Sequence, residues 1–291
     1  LWCLCMFDSH CHLHDERLRG ITSQVVDRAQ HAGLHGLLLA GVERDTWSVQ
    51  DELRRKFGSP NFDIAVAYGV HPQMVPSLSV SQLHDQLVAL REAAQGRLVV
   101  DGNVLLAPHA IGELGLDAYS EQTRATLMKQ EQVFRDQLAV ARELDLPIVL
   151  HILRTHPAAL RVLKTDGIPC AGGVVHSFSG SAELAKEYVA LGLHISFAGG
   201  ITGSHAPRLM AAAQVIPEER LLVETDAPDQ TPVPFRPSLC EPAFLSAVIE
   251  TVAVVRGQTM LAIAQRTEDN ARRLFRLPKP SAEPLRIPNQ P

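Results

Sequence analysis

Short apolar runs rich in β-branched residues recur along the chain, each followed by a stretch whose apolar positions repeat every three or four residues. The runs fall at 6–8, 36–40, 64–70, 110–113, 147–151, 173–176, 194–197 and 221–226. Flanked by helical stretches, they suit strands buried on both faces, as in a parallel sheet covered by helices. Over 121–145, Leu127, Phe134, Leu138, Ala141 and Leu144 form one buried stripe; over 79–95, Leu83, Leu87, Leu90 and Ala94 form another. Gly- and Pro-containing turns at 145–147 and 167–169 separate the units. Eight strands alternating with helices at intervals of roughly 20–45 residues predict an α/β fold, the (β/α)8 TIM barrel. The less regular stretch 96–109 precedes the fourth strand, which places it at the N-terminal face, away from the chemistry of such a barrel, as scaffold.

The pattern gives three segments: an upstream extension at 1–5, a barrel at 6–276, and an irregular tail at 277–291 that carries five prolines. Of the 291 residues, 46% are hydrophobic and 20% charged, which supports a large core and excludes a disordered chain. The net charge of −5 argues against coating nucleic acid through a broad basic surface. It leaves room for an enzyme that holds phosphates locally through metal ions. No apolar run approaches membrane-spanning length, and the opening LWCLCMF lacks the basic flank and cleavage site of a secretory signal. Five cysteines, at 3, 5, 11, 170 and 240, form no disulfide framework, so a reducing cytoplasm is expected. Neither a membrane nor an obligate protein partner is expected.

The histidines and carboxylates change the picture most. His10 and His12 follow the first run as His-x-His, and strand alternation sends both to one face, with Cys11 turned away into packing. Glu113 ends the fourth run, His151 the fifth, His176 the sixth and Asp226 the eighth. All six converge on the C-terminal mouth of a closed barrel. Imidazole and carboxylate together suit zinc or a similar divalent ion. Asp226, as ligand and proton acceptor, is the candidate general base. His71 ends the third run in front of Pro72 and is expected to touch substrate; Arg154, His156 and Arg236 are candidates for holding phosphate oxygens. Glu224 precedes Asp226 by two and points the same way, and Asp8 stands in that relation to His10.

The stretches FDSHCHL (7–13), GVHP (69–72), AIGELGLD (110–117), VLH (149–151), VVHSFSG (174–180) and VETDAP (223–228) together resemble the TatD family of metal-dependent deoxyribonucleases, from about residue 6 to 275. The resemblance implies a barrel of the amidohydrolase superfamily with two divalent metal ions (zinc, magnesium or manganese). It implies His10, His12 and Asp226 on one metal, His151 and His176 on the other, and Glu113 bridging them. Two departures stand out. Leu153 occupies a position where many members have Arg, with Arg154-Thr155-His156 resembling one branch, and the loop 236–242 lacks the usual Gly and has Cys240 where Asn is common. The metal chemistry therefore carries over more fully than the substrate. The expected activity is hydrolysis of phosphoester bonds in DNA ends or small phosphoesters, by water activated as hydroxide between the metals. The alternative is a metal-dependent amide or lactone hydrolase of the same superfamily. Many of those bridge their metals with a carbamylated lysine on the fourth strand, where this chain has Glu113. A non-catalytic ligand-binding barrel would be expected to have lost ligands, and all six are present.

Overall fold

A computed structural model describes residues 5–203 and 206–278. Its strands are β1 (Met6–Cys11), β2 (Leu34–Leu39), β3 (Asp63–Tyr68), β4 (Val99–Val100), β5 (Asn103–Val104), β6 (Ala110–Asp117), β7 (Ile148–Leu153), β8 (Gly173–Val175), β9 (Leu193–Phe197) and β10 (Leu221–Val223). The helices are α1 (Thr22–His31), α2 (Arg44–Phe57), α3 (Val80–Ala94), α4 (Glu121–Ala125), α5 (Leu127–Leu144), α6 (His156–Asp166), α7 (Ala182–Ala190), α8 (Pro207–Val215), α9 (Leu245–Arg256) and α10 (Met260–Leu274).

Eight of the strands pair in parallel in the order β1-β2-β3-β6-β7-β8-β9-β10, the nearly closed barrel that the apolar rhythm predicts. The seam between β10 and β1 is bridged by the Ser9 hydroxyl, which donates to Val223 O (2.9 Å). Beyond it, Asp226 N–H donates to His10 O (2.9 Å) and His12 N–H to Ala227 O (2.7 Å). Strand alternation sorts the apolar side chains into two groups. Met6, Leu37, Leu39, Val66, Ile148, Leu150, Ile195 and Leu221 join the helices in the main core. Phe7, Leu38, Ala65, Ala67, Ala110, Val149, Val174 and Leu222 form a second cluster, capped by Leu274 and Phe275 at the end of α10. Phe275 lies with its ring centroid 6.4 Å from that of Phe7, so this apolar plug closes one end of the barrel and leaves the strands' C-terminal ends for chemistry.

Local devices differ from the simplest reading of the pattern. The stripe expected as one helix over 121–145 is broken at Thr126 into α4 and α5, and Gln130 turns inward to accept Asp117 N–H (2.8 Å) and donate to Thr123 O (2.8 Å). The stretch 96–109 contains the β4–β5 hairpin, tied to α2 through Arg55 Nη2 to Val104 O and Arg54 Nη1 to Ala107 O, both 3.0 Å. It leads into the start of β6, on the side away from the strands' C-terminal ends. The extension expected at 1–5 lies outside the described residues up to residue 4, and the tail does so from 279 onward. Leu277 and Pro278 turn back onto α10, where both contact Arg272. No single helix among the described residues is long and apolar enough to cross a membrane.

Candidate metal centre

Glu113 does not end its strand, as the apolar run implied; β6 continues to Asp117. Its position comes from a bulge, in which Gly112 pairs with Val149 and Leu114 with the next residue, Leu150, so Glu113 is the unpaired extra residue. A bulge re-aims the side chain it extrudes, and here the carboxylate is 1% exposed and directed among imidazoles. The close approach of β6 to β7 requires glycine: a Cβ on Gly115, at φ 145°, would overlap the His151 carbonyl oxygen. A similar irregularity lies between Asp8 and Cys11 in the β1–β2 ladder, just before the turn that carries His12. Despite it, the His10 and His12 Nε2 atoms come within 3.2 Å of each other, and Cys11 points into the core, its thiol toward Leu38 O.

The ligand-type atoms form two clusters that share Glu113. Glu113 Oε1 lies 3.5 Å from His10 Nε2 and 3.4 Å from His12 Nε2, and Asp226 Oδ1 lies 3.6 and 3.5 Å from the same nitrogens. Four ligands around a tetrahedral divalent ion with bonds of 2.0–2.1 Å stand about 3.3–3.4 Å apart, so this spacing fits a cation. Glu113 Oε2 faces the second set: His176 Nε2 at 2.7 Å, His151 Nδ1 at 3.4 Å and His71 Nε2 at 3.6 Å. His151 Nδ1 is 3.1 Å from both His71 Nε2 and His176 Nε2. Apart from the imidazoles, the nearest at 2.7 Å, neither buried Glu113 oxygen meets a donor, and Nδ1 of His10 and of His12 is buried with no hydrogen bond. A buried carboxylate without a donor is costly, whereas a metal ligand needs none. On this observation the residues fit divalent cations.

The surrounding groups fix the imidazoles. His151 turns Nε2 to Asp117 Oδ2 (3.1 Å), which leaves Nδ1 for the centre. Asp117 also accepts Gln73 Nε2 and Tyr119 N–H, and these bonds with His151 outweigh burial to hold its carboxyl below the usual range. Glu224, fully buried, accepts Ser177 N–H at 2.6 Å and stands 3.4 Å from His176 Nδ1, so His176 Nε2 faces Glu113. Burial would raise the Glu113 carboxyl, but the His176 and His10 imidazoles hold it well below its ordinary value. The same pairing acts on the partners. Burial opposes charge on His176, His151 and His12, yet Glu113, Asp117 and Asp226 hold all three above the ordinary histidine range. His71 goes the other way, to about 4, through burial and the neighbouring His151. Asp8 meets no imidazole but accepts the His10 backbone N–H (3.2 Å), with Thr225 N–H and the Thr225 hydroxyl, and burial pushes it up to about 7.

The structure thus brings together the six expected ligands and adds His71 to the second cluster. Arg154, His156 and Arg236 make their contacts away from it. Arg154 is exposed, with its guanidinium carbon 4.8 Å from the Tyr119 ring centroid. His156 Nδ1 pairs with the Tyr188 hydroxyl (3.1 Å), and Arg236 Nε donates to Thr231 O (2.8 Å). Asp117 and Gln230 escaped the sequence reading. Gln230 Nε2 donates to Asp226 Oδ2 (2.8 Å) and to the Ser177 hydroxyl, joining the segment after β8, which carries His176, to the loop after β10. Ser177, Asp226 and Gln230 all have positive φ, 42°, 57° and 51°, a concentration of strained non-glycine backbone around one carboxylate. A cleft of about 620 Å³ opens over His12 and Glu113, walled by the segment after β1 and by α2. On its rim Arg17 binds Asp15 and Asp229 with both edges of its guanidinium.

Comparison with known proteins adds the relationship. The family model described as TatD related DNase matches residues 7–276. The uncharacterised metal-dependent hydrolase YabD of Bacillus subtilis is 33% identical over 272 residues, covering 94% of this chain and 99% of the relative. The 3'-5' ssDNA/RNA exonuclease TatD of Pectobacterium atrosepticum is 34% identical over 278 residues, covering 94% of this chain and 100% of the relative. Among solved structures, the crystal structure of YjjV, a TatD homologue from Escherichia coli, matches with a TM-score of 0.82 at 29% identity, over 95% of this chain and 99% of that one.

Proposed function

This chain belongs to the TatD family of DNases, and from that premise we propose that it is a two-metal phosphodiesterase acting on the ends of single-stranded nucleic acid. The observation that carries the two-metal reading is Glu113, whose two buried oxygens meet only imidazoles, Oε1 those of His10 and His12, Oε2 those of His176, His151 and His71. His10, His12 and Asp226 would hold one cation, His151, His176 and His71 the other, with Glu113 shared. When bound, the cations supply Lewis acidity, which lowers the pKa of water and neutralises charge on a phosphoryl oxygen.

The remaining work falls to the protein. Asp226 is anchored at Oδ2 by Gln230 and presents Oδ1 beside His10 and His12, where it accepts the proton of the attacking water. Asp117 and Glu224 hold His151 and His176 in the tautomers that aim one nitrogen inward. Arg154, exposed over the Tyr119 ring and without a carboxylate partner among the described residues, is the candidate for a phosphate next to the one being cleaved.

The test is protein reconstituted with zinc, manganese or magnesium and offered end-labelled single-stranded DNA, a bis-aryl phosphodiester, and a panel of lactones and amides. Metal-dependent shortening of the DNA together with phosphodiester cleavage is expected. Turnover of lactones or amides without any phosphodiester cleavage would overturn the proposal in favour of a carbonyl hydrolase.

A further inference from the structure

A second cavity, of about 350 Å³, lies beside the first and shares Gln73 with it. Its size falls at the small end of the roughly 300–1,000 Å³ of small-molecule sites. Its walls carry amides and hydroxyls (Gln73, Ser77, Ser120, Gln122), and its one ionised side chain, Asp117, is already hydrogen-bonded to His151, Gln73 and the Tyr119 N–H. Such a lining offers donors and acceptors without net positive charge, which suits a neutral heteroaromatic ring and not a phosphate.

Tyr119 forms one wall and is 60% exposed. An exposed tyrosine by itself says little. This one is held at both ends of its own backbone, the N–H by Asp117 Oδ1 (2.7 Å) and the carbonyl by Arg124 Nη1 (2.9 Å). Its ring is stacked by the Arg154 guanidinium, and Arg154 itself sits at φ 60°, a left-handed conformation uncommon for a residue with a side chain. Asp117, two residues before Tyr119, binds His151, and Arg154 follows His151 by three. The platform and the metal cluster are therefore built on the same two strand ends, β6 and β7. Aromatic faces and stacked arginines are how proteins hold bases of single-stranded nucleic acid.

We propose that Tyr119, backed by Arg154, is a stacking platform for a nucleobase in the cavity beside the metal centre, so that the enzyme grips its substrate by a base next to the scissile phosphate. This rests on the nucleic-acid reading above and adds the subsite that would recognise it. Alanine substitution of a stacking residue typically weakens binding by about tenfold or more per base.

Two single strands differing only in whether the terminal nucleotide carries a base or is abasic provide the test. A third, ending in 2-aminopurine, reports stacking by fluorescence in the EDTA-treated protein, independently of turnover. The wild type is expected to prefer the intact end in kcat/KM by about tenfold and to quench 2-aminopurine. Tyr119→Ala should erase both effects, and Tyr119→Phe and Tyr119→Trp should keep both. An equal rate on intact and abasic ends in the wild type, or a preference that survives Tyr119→Ala, overturns the subsite while leaving the nuclease reading intact. Quenching that depends on Tyr119 without cleavage of any strand supports the subsite and overturns the nuclease reading. Neither quenching nor cleavage overturns both.

Discussion

Glu113 and His71 carry the sharpest predictions at the scale of single residues. Glu113 is common to both clusters, so Glu113→Gln, which replaces one oxygen with an N–H donor, should strip metal from both, as elemental analysis of the purified protein will show. His71 turns Nε2 to Glu113 Oε2 and His151 Nδ1, both on the second cluster, so His71→Asn should lower the metal content by about half and leave the first cluster loaded. Full metal content with a KM raised for phosphodiesters would instead return His71 to the role of substrate contact. That the six other candidate ligands would come together was legible because each closes or follows an apolar run, and strand ends of a barrel meet at one mouth. The ring of His71 was not: its residue type is visible in the sequence, but its inward turn rests on the Gln73 N–H donating to Nδ1, which leaves Nε2 for His151 and Glu113, far away along the chain. Asp117 and Gln230 were invisible for a different reason. An aspartate ending a motif and a glutamine in a loop carry no periodic signal, and their roles exist only through His151, Ser177 and Asp226.

At the scale of elements, the parallel strands and most helices followed from periodicity, since runs apolar on both faces can be buried only between helices. What periodicity could not show is the irregularity that makes the site. The run 110–113 stops at Glu113 because the apolar signal breaks there, whereas the backbone continues through a bulge to Asp117. At the other end, β10 stops at Val223, and Asp226 is held by hydrogen bonds from the loop beyond it. The β4–β5 hairpin also stayed hidden, its strands being two residues each and held by arginines of α2. The bulge makes a concrete prediction. In Gly115→Ala the added methyl must push the His151 carbonyl away, and His151 lies one strand over from Glu113. Overpacking of this kind typically costs about 1–3 kcal/mol, to which the positive φ adds strain. The variant should melt several degrees lower and bind the second metal more weakly than the first. A variant as stable as the wild type, with unchanged metal content, would mean that β6 and β7 are free to separate without disturbing the centre.

At the scale of the whole molecule, the proposed centre would couple metal binding to folding, because its candidate ligands come from strand ends spread around the entire barrel. A cation at about 100 times its Kd stabilises the folded state by about 2.7 kcal/mol, which for a chain of this size raises Tm by roughly 4–5 °C. The size of that gain should depend on pH, with a definite sign. In the metal-free protein His12, His151 and His176 are held above the ordinary histidine range, by Asp226, Asp117 and Glu113. A raised folded value means that these groups stabilise the fold fully below about 6.5 and lose that contribution as pH rises through their folded values. Bound to a cation the same imidazoles are neutral, so the loaded protein has no such contribution to lose. His71 and His14, lowered to about 4 and about 3 by burial, act in the opposite sense but only below 6.5, where the unfolded chain takes up their protons first. From pH 6.5 to 8.5 the difference in Tm between metal-loaded and EDTA-treated protein should therefore widen steadily. Glu113→Gln should show almost no difference at any pH in that window. A difference that stays flat or narrows in the wild type would mean that the cations bind somewhere other than on these imidazoles.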